Sequence, residues 1–175
     1  MTVMSRLAGR LAKLPPAETY DVLVERDLKV PMPDGVVLLA DRYAPRGTDR
    51  LPAILVRSCY GRRGFFGFIY GYLFAERSYQ VVIQSTCGTF GSGGQLDLFG
   101  CGHEDGLATL AWLKQQPWFT GEFATNGPSY LGFVQWAIAR DAGPELKAMA
   151  VQVTASCINR HVPIKTDARQ KSLML

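Results

Sequence analysis

The sequence is poor in the groups that staple a chain, bind metals or cross membranes. Its four cysteines, at 59, 87, 101 and 157, make no CxxC pair. A chain of 175 residues buries a core without disulfides, so a reducing compartment is the default expectation. No apolar run reaches the roughly 18 residues needed to span a bilayer. The opening MTVMSRLAGRLAKLPP also lacks the uninterrupted apolar stretch of a secretory signal. A soluble cytoplasmic protein with no membrane span is therefore expected. The net charge is only +4, and the basic residues are scattered, so no nucleic-acid footprint is present. Neither an internal repeat nor a long linker divides the chain.

What is present is the composition of one globular domain, 47% apolar and 19% charged. The first residues place Met4, Leu7, Leu11 and Leu14 on one helical face, with Arg6, Arg10 and Lys13 elsewhere and Pro15 and Pro16 as the stop. This pattern fits a short helix docked on the domain, a frayed terminus, or a membrane-surface or transit segment. From residue 20 onward, β-rich runs alternate with helical stretches. VLVERDLKV (22–30) and VVLLADRYAP (36–45) flank MPDG, whose Asp34 and Gly35 supply hairpin turn chemistry.

Further strands are predicted at 52–58, 79–85, 121–126 and 146–153. The first, second and fourth of these are nearly continuous apolar runs, as expected of strands buried on both faces. Helical spacing over 103–116 and 130–140 predicts crossover helices. Strand–helix–strand repetition predicts an α/β fold, a mostly parallel sheet with helices on both faces. In such sheets the chemistry sits outside the carboxyl ends of the strands.

FATNGPSYLGFVQW carries the most chemical information, because a strand runs through Gly127, Pro128 and Ser129 directly into a helix. A sharp strand-to-helix turn lifts a serine hydroxyl above the sheet, and the helix start favours developing negative charge. Ser129 is the candidate nucleophile. The backbone N–H of Tyr130 is then a candidate oxyanion donor. The second glycine falls three residues after the serine, so strict GxSxG is missed, and a serine in this place also makes a good helix N-cap.

Gly88, Gly91, Gly93 and Gly94 fit neither GxGxxG nor a phosphate-binding loop, and no cofactor is expected. Cys101, His103, Glu104 and Asp105 lack a second ligand pair at a familiar spacing, so no metal is expected either. The aromatic run GFFGFIYGYLF (64–74) fits core or interface packing, or the wall of an acyl pocket.

Six ordered segments together resemble the CocE/NonD α/β-hydrolases, which include cocaine esterase, Xaa-Pro dipeptidyl-peptidases and α-amino-acid ester hydrolases. They are VPMPDGVVLLADRYAP, LVRSCYGRR, FAERSYQVVIQS, GTFGSGGQLDLFG, EDGLATLAWLKQQPWF and NGPSYLGFVQWA. The resemblance covers about residues 20–155, a partial α/β-hydrolase domain, between an amphipathic segment at 1–19 and a divergent tail at 156–175. It implies a serine hydrolase acting on a small ester or peptide, with Ser129 as nucleophile and the Tyr60 hydroxyl as second oxyanion donor. For Tyr60 the alternative is a ring packed at the sheet edge. It also implies an arginine where this chain has Cys87.

A serine needs a general base oriented by a carboxylate. The resemblance implies that both come later in the chain, after a seventh and an eighth strand and beyond a helical cap, followed by a jelly-roll domain. The pattern here ends near the sixth strand. Asp141 lies about 18 Å from Ser129 along a continuous helix, and nothing in the sequence holds His161 within reach. The rival expectation is thus an inactive remnant or interaction fragment, self-associating or pairing with a complementing chain at an open sheet edge.

Overall fold

The computed structural model describes residues 2–48, 50–98, 100 and 102–155. The 156–175 tail, with Cys157 and His161, lies outside the described residues, as does Cys101. A first helix, α1 (Thr2–Leu11), precedes the hairpin β1 (Val22–Pro31) and β2 (Val37–Pro45). The hairpin turn forms where Asp34 and Gly35 predict it, and the Val36 N–H donates to Asp34 Oδ1 at 3.0 Å. Strand β3 (Ala53–Ser58) leads into a continuous helical segment over 64–75, made of α2 (Gly64–Phe66), a π-helical turn (Gly67–Tyr72) and α3 (Leu73–Ala75). There follow β4 (Gln80–Ser85), α4 (Gly102–Lys114), β5 (Phe123–Pro128), α5 (Tyr130–Ala139) and β6 (Leu146–Gln152).

The six strands form one sheet in the order β1-β2-β4-β3-β5-β6. The β1–β2 and β2–β4 pairings are antiparallel, and those joining β4, β3, β5 and β6 are parallel. Every residue of β3 and β4 is buried, because helices cover both faces. Leu55 and Val82 pack with Leu110 and Leu113 of α4, whereas Ile54, Val56, Val81 and Ile83 pack with Ala75 of α3 and Leu131 and Val134 of α5. Adjacent residues of a strand point to opposite faces, so two cores require an unbroken apolar run.

One expectation is corrected. Strand β6 is largely exposed instead of buried on both faces, since among the described residues it pairs with β5 alone. The aromatic run is a crossover helix. Its Gly67 and Gly71, four residues apart, lie flat on the Tyr43 ring, where a Cβ would come within 2.5 and 2.7 Å. Phe66, Tyr70, Tyr72 and Phe74 pack against the second core and Phe65 is exposed, so the stretch contributes mainly buried area.

Candidate active site

Ser129 stands between β5 and α5 at the carboxyl end of the parallel strands, with φ +55° and ψ −126°. A non-glycine residue in such a conformation costs about 1–3 kcal/mol and persists only where its surroundings fix it. Here three backbone bonds do so. The Ser129 N–H donates to the Gln152 carbonyl of β6 at 2.9 Å, and the Gly132 and Phe133 N–H groups donate to the Ser129 carbonyl at 3.0 Å. The side chain is exposed and makes no capping hydrogen bond to its helix. The N-cap alternative therefore fails, and the turn presents the hydroxyl to solvent.

The glycine spacing that missed the strict motif has a packing reason. A Cβ on Gly127, at φ +145°, would meet Leu131 at 2.4 Å. One on Gly132 would meet Thr154 at 2.6 Å and the Gly127 carbonyl oxygen at 3.2 Å. The helix thus approaches the strand through the third residue after the serine, while the second, Leu131, is buried in the core.

Gln135, which sequence reasoning passed over, stitches this turn together. Buried inside α5, its amide donates to the carbonyls of Gly127 and Leu131 at 3.0 Å, and its oxygen accepts from Thr125 Oγ1 at 2.8 Å. A lone polar residue in an otherwise apolar helix face, as in FVQWAI, was the available signal. Gln135→Leu leaves these buried groups unpaired, so its urea unfolding midpoint should fall by the equivalent of about 1–3 kcal/mol. An unchanged midpoint would show that the amide does not hold the turn.

Tyr130 is the first residue of α5 and buried, and its N–H belongs to the first turn, whose amides point out of the helix start. Tyr60 lies two residues beyond β3, the strand next to β5. Its ring stacks on Phe66 with centroids 5.5 Å apart yet remains 44% exposed. Both readings of Tyr60 are thus present, a packed ring whose face still meets solvent. Tyr60 lines an open cavity of about 440 Å³ with Gly61, Arg62, Arg63 and Phe90. Burial raises the pKa of the neighbouring Cys59, outweighing a hydrogen bond with Tyr60, and so favours the neutral thiol over a nucleophilic thiolate.

The segment carrying Tyr60 is pinned by a charge cluster that the sequence did not announce. Asp41 of β2, fully buried, accepts from Arg62 Nε at 2.9 Å and Arg63 Nε at 2.8 Å. Both guanidinium groups also reach Asp27, which sits at a bulge in β1 with φ +56° and donates its own N–H to Asp41 at 2.9 Å. Arg62 continues to Ser85 Oγ at 2.9 Å and the Phe90 carbonyl at 2.7 Å, while Tyr43 donates its hydroxyl to the Arg62 carbonyl at 2.9 Å. Burial of the Tyr43 ring raises its pKa to about 12, so it remains a donor. For Asp41, burial pushes the pKa up, but the bonds from Arg63, the Asp27 amide and Arg62 outweigh it and leave the carboxyl low. Asp27 is lowered too, by Arg63 first and then Arg62.

The other titratable candidates lie apart from the serine. His103 Nε2 and Asp141 Oδ2 are 3.0 Å from each other on the exposed surface, joining the start of α4 to the residues after α5. His103 is the only histidine among the described residues, and Asp141 is a dozen residues and about 18 Å along the helix from Ser129. This pair does not supply a base at the elbow. The glycine-rich stretch is a loop closed on itself, with Gly88 N–H on the Gly93 carbonyl at 2.9 Å and Cys87 Sγ against the Gln95 carbonyl at 3.1 Å. No described helix is long and apolar enough to cross a membrane.

Comparison with known proteins identifies the family and the fold. A model of the X-Pro dipeptidyl-peptidase (S15) family matches residues 34–170. Cocaine esterase of Rhodococcus sp. (strain MB1 Bresler) is 35% identical over 141 residues, which are 78% of this chain and 25% of that protein. A CocE/NonD family hydrolase from Staphylococcus aureus superposes with a TM-score of 0.64 at 26% identity, over 73% of this chain and 27% of that one. An aminopeptidase from a marine sediment archaeon of the Thaumarchaeota has the same fold, with a TM-score of 0.63 at 23% identity over 77% of this chain and 26% of that one. The chain spans about a quarter of the length of these relatives. With its sheet order, its strained turn and the family match in agreement, the chain belongs to the X-Pro dipeptidyl-peptidase (S15) family, a family of α/β-hydrolases.

Proposed function

We propose that this chain is the nucleophile-bearing portion of a serine hydrolase that cleaves ester or amide bonds through an acyl-enzyme. The observation that carries this reading is the strained, exposed Ser129, whose hydroxyl makes no cap to its own helix. A serine at this position forgoes about 1 kcal/mol of capping and accepts backbone strain as well. Presentation of the hydroxyl to a substrate accounts for both.

In the reaction, Ser129 Oγ attacks the carbonyl carbon while its proton passes to a base. The tetrahedral oxyanion is met by the Tyr130 N–H and the Tyr60 hydroxyl, and its collapse expels the alcohol or amine, which takes up the proton. The base and its orienting carboxylate are not among the described residues. The acyl group is that of a small ester or of an Xaa-Pro peptide. The Asp41–Arg62–Arg63 cluster supports the role of Tyr60, since a preorganised donor must be held before charge develops.

Incubation of the folded chain with a fluorophosphonate, followed by peptide mapping, tests the reading. Slow phosphonylation confined to Ser129 is expected, since oxyanion donors leave a residual rate even where no base is in reach. An unlabelled, well-folded chain would favour the inert interaction fragment, whose exposed β6 edge offers a pairing surface. Tyr60→Phe should slow labelling about a hundredfold if its hydroxyl meets the oxyanion, and not at all if only its ring matters.

A further inference from the structure

Helix α1 docks on the domain by the wrong face for a helix that hides its apolar side. The buried positions are Ser5 and Gly9. The Ser5 hydroxyl donates to the buried Glu76 carboxylate, and Gly9 lies so close to Arg77 that a Cβ there would sit 2.7 Å from its guanidinium. Arg77 in turn holds the chain beyond the helix, donating to the Pro15 carbonyl at 2.7 Å and the Leu73 carbonyl at 2.6 Å. At about 100° per residue, Leu7 lies roughly 160–200° around the helix from Ser5 and Gly9. The apolar stripe therefore points straight away from the protein, with Val3 81%, Met4 66%, Leu7 59% and Leu11 76% exposed.

Charge decides what fits this stripe. Arg6, Arg10 and Lys13 accompany it, and no acidic residue occurs before Glu18. Arg6 and Arg10 fall on the helix between the docked face and the stripe, with the Arg6 guanidinium over the Tyr20 ring at 4.9 Å from its centroid. From that position their stems can lie along an apolar layer while the charged heads remain at its polar boundary. The same residues, with Arg77, line an open cavity of about 390 Å³ behind the helix. A short helix alone in water is marginal, but this one is already folded by its docking, so binding does not carry the cost of forming the helix.

We infer that α1 is an interfacial anchor that lays Val3, Met4, Leu7 and Leu11 into the surface of an anionic phospholipid bilayer, with Arg6, Arg10 and Lys13 at the level of the phosphates. The helix lies on the membrane and does not span it, since ten residues reach about 15 Å. Docked in this way, it holds the rest of the domain against the bilayer through Glu76 and Arg77.

Flotation of the full chain with vesicles of equimolar phosphatidylcholine and phosphatidylglycerol tests the inference. The chain should float with these vesicles, far less with phosphatidylcholine alone, and less as salt rises. Leu7→Glu with Leu11→Glu should lower partitioning at least about tenfold, with an unchanged circular dichroism spectrum because both positions are exposed. Should that pair disturb folding, Met4→Gln with Leu11→Gln provides the same comparison. Failure of the wild-type chain to float, or equal flotation of a folded stripe variant, overturns the inference. So does a wild-type dimer in lipid-free solution that the stripe variant dissociates, because the stripe then belongs to a second copy. None of these outcomes depends on the chemistry of Ser129.

Discussion

Asp41→Ala is expected to lower folding stability by about 3–5 kcal/mol, because it leaves the buried Arg62 with only the half-exposed Asp27 to offset its charge and removes the bonds from Arg63 and the Asp27 amide as well. Against the roughly 5–15 kcal/mol that holds a typical domain together, this is a large fraction. Urea unfolding followed by fluorescence would measure it. A loss below about 1 kcal/mol would mean that the cluster is solvated and holds nothing. The same cluster sets an acid limit. Asp27 and Asp41 both have folded-state pKa values below the ordinary 3.8. Their contribution is therefore complete above that value and is lost as pH falls through the lower, folded-state values. Stability of the wild-type chain should drop steeply below about pH 4, and Asp41→Asn should flatten that part of the curve.

Ser129→Ala should abolish fluorophosphonate labelling altogether, and in a complete enzyme it should lower kcat by about 10⁴-fold or more. A second substitution separates chemistry from strain. Ser129→Gly also removes the nucleophile, but glycine adopts φ +55° without a Cβ penalty, so this variant should be about 1 kcal/mol more stable than the wild-type chain. Gain of stability together with loss of labelling is the signature of a residue held in strain for its hydroxyl. Labelling that survives in Ser129→Ala would place the reactive group elsewhere, and a Ser129→Gly variant less stable than the wild-type chain would show that the turn is relaxed.

Much of the fold is legible because its causes are local. Asp34-Gly35 makes the hairpin, and continuous apolar runs mark β3 and β4 as strands covered on both faces. The same rule misled at β6, where the run LKAMAVQV is apolar but the described structure provides only one neighbouring strand. The aromatic stretch fits packing or a pocket wall by its composition, and only the structure shows that Gly67 and Gly71 let the helix lie on Tyr43.

GPSY determined where a nucleophile can stand, since a strand, a proline and a small flanking residue before a helix leave the chain little choice but a sharp turn. Only the tertiary structure decided that the hydroxyl faces solvent, that Gln135 ties the turn to its neighbours, and that Asp41 gathers arginines about 20 positions away. It also turned the apolar stripe of α1 outward. The reason is physical: periodicity and turn chemistry report what a residue prefers among its neighbours in sequence. Partners for a buried charge, or for a helix face, are chosen by which distant segments the sheet order brings together.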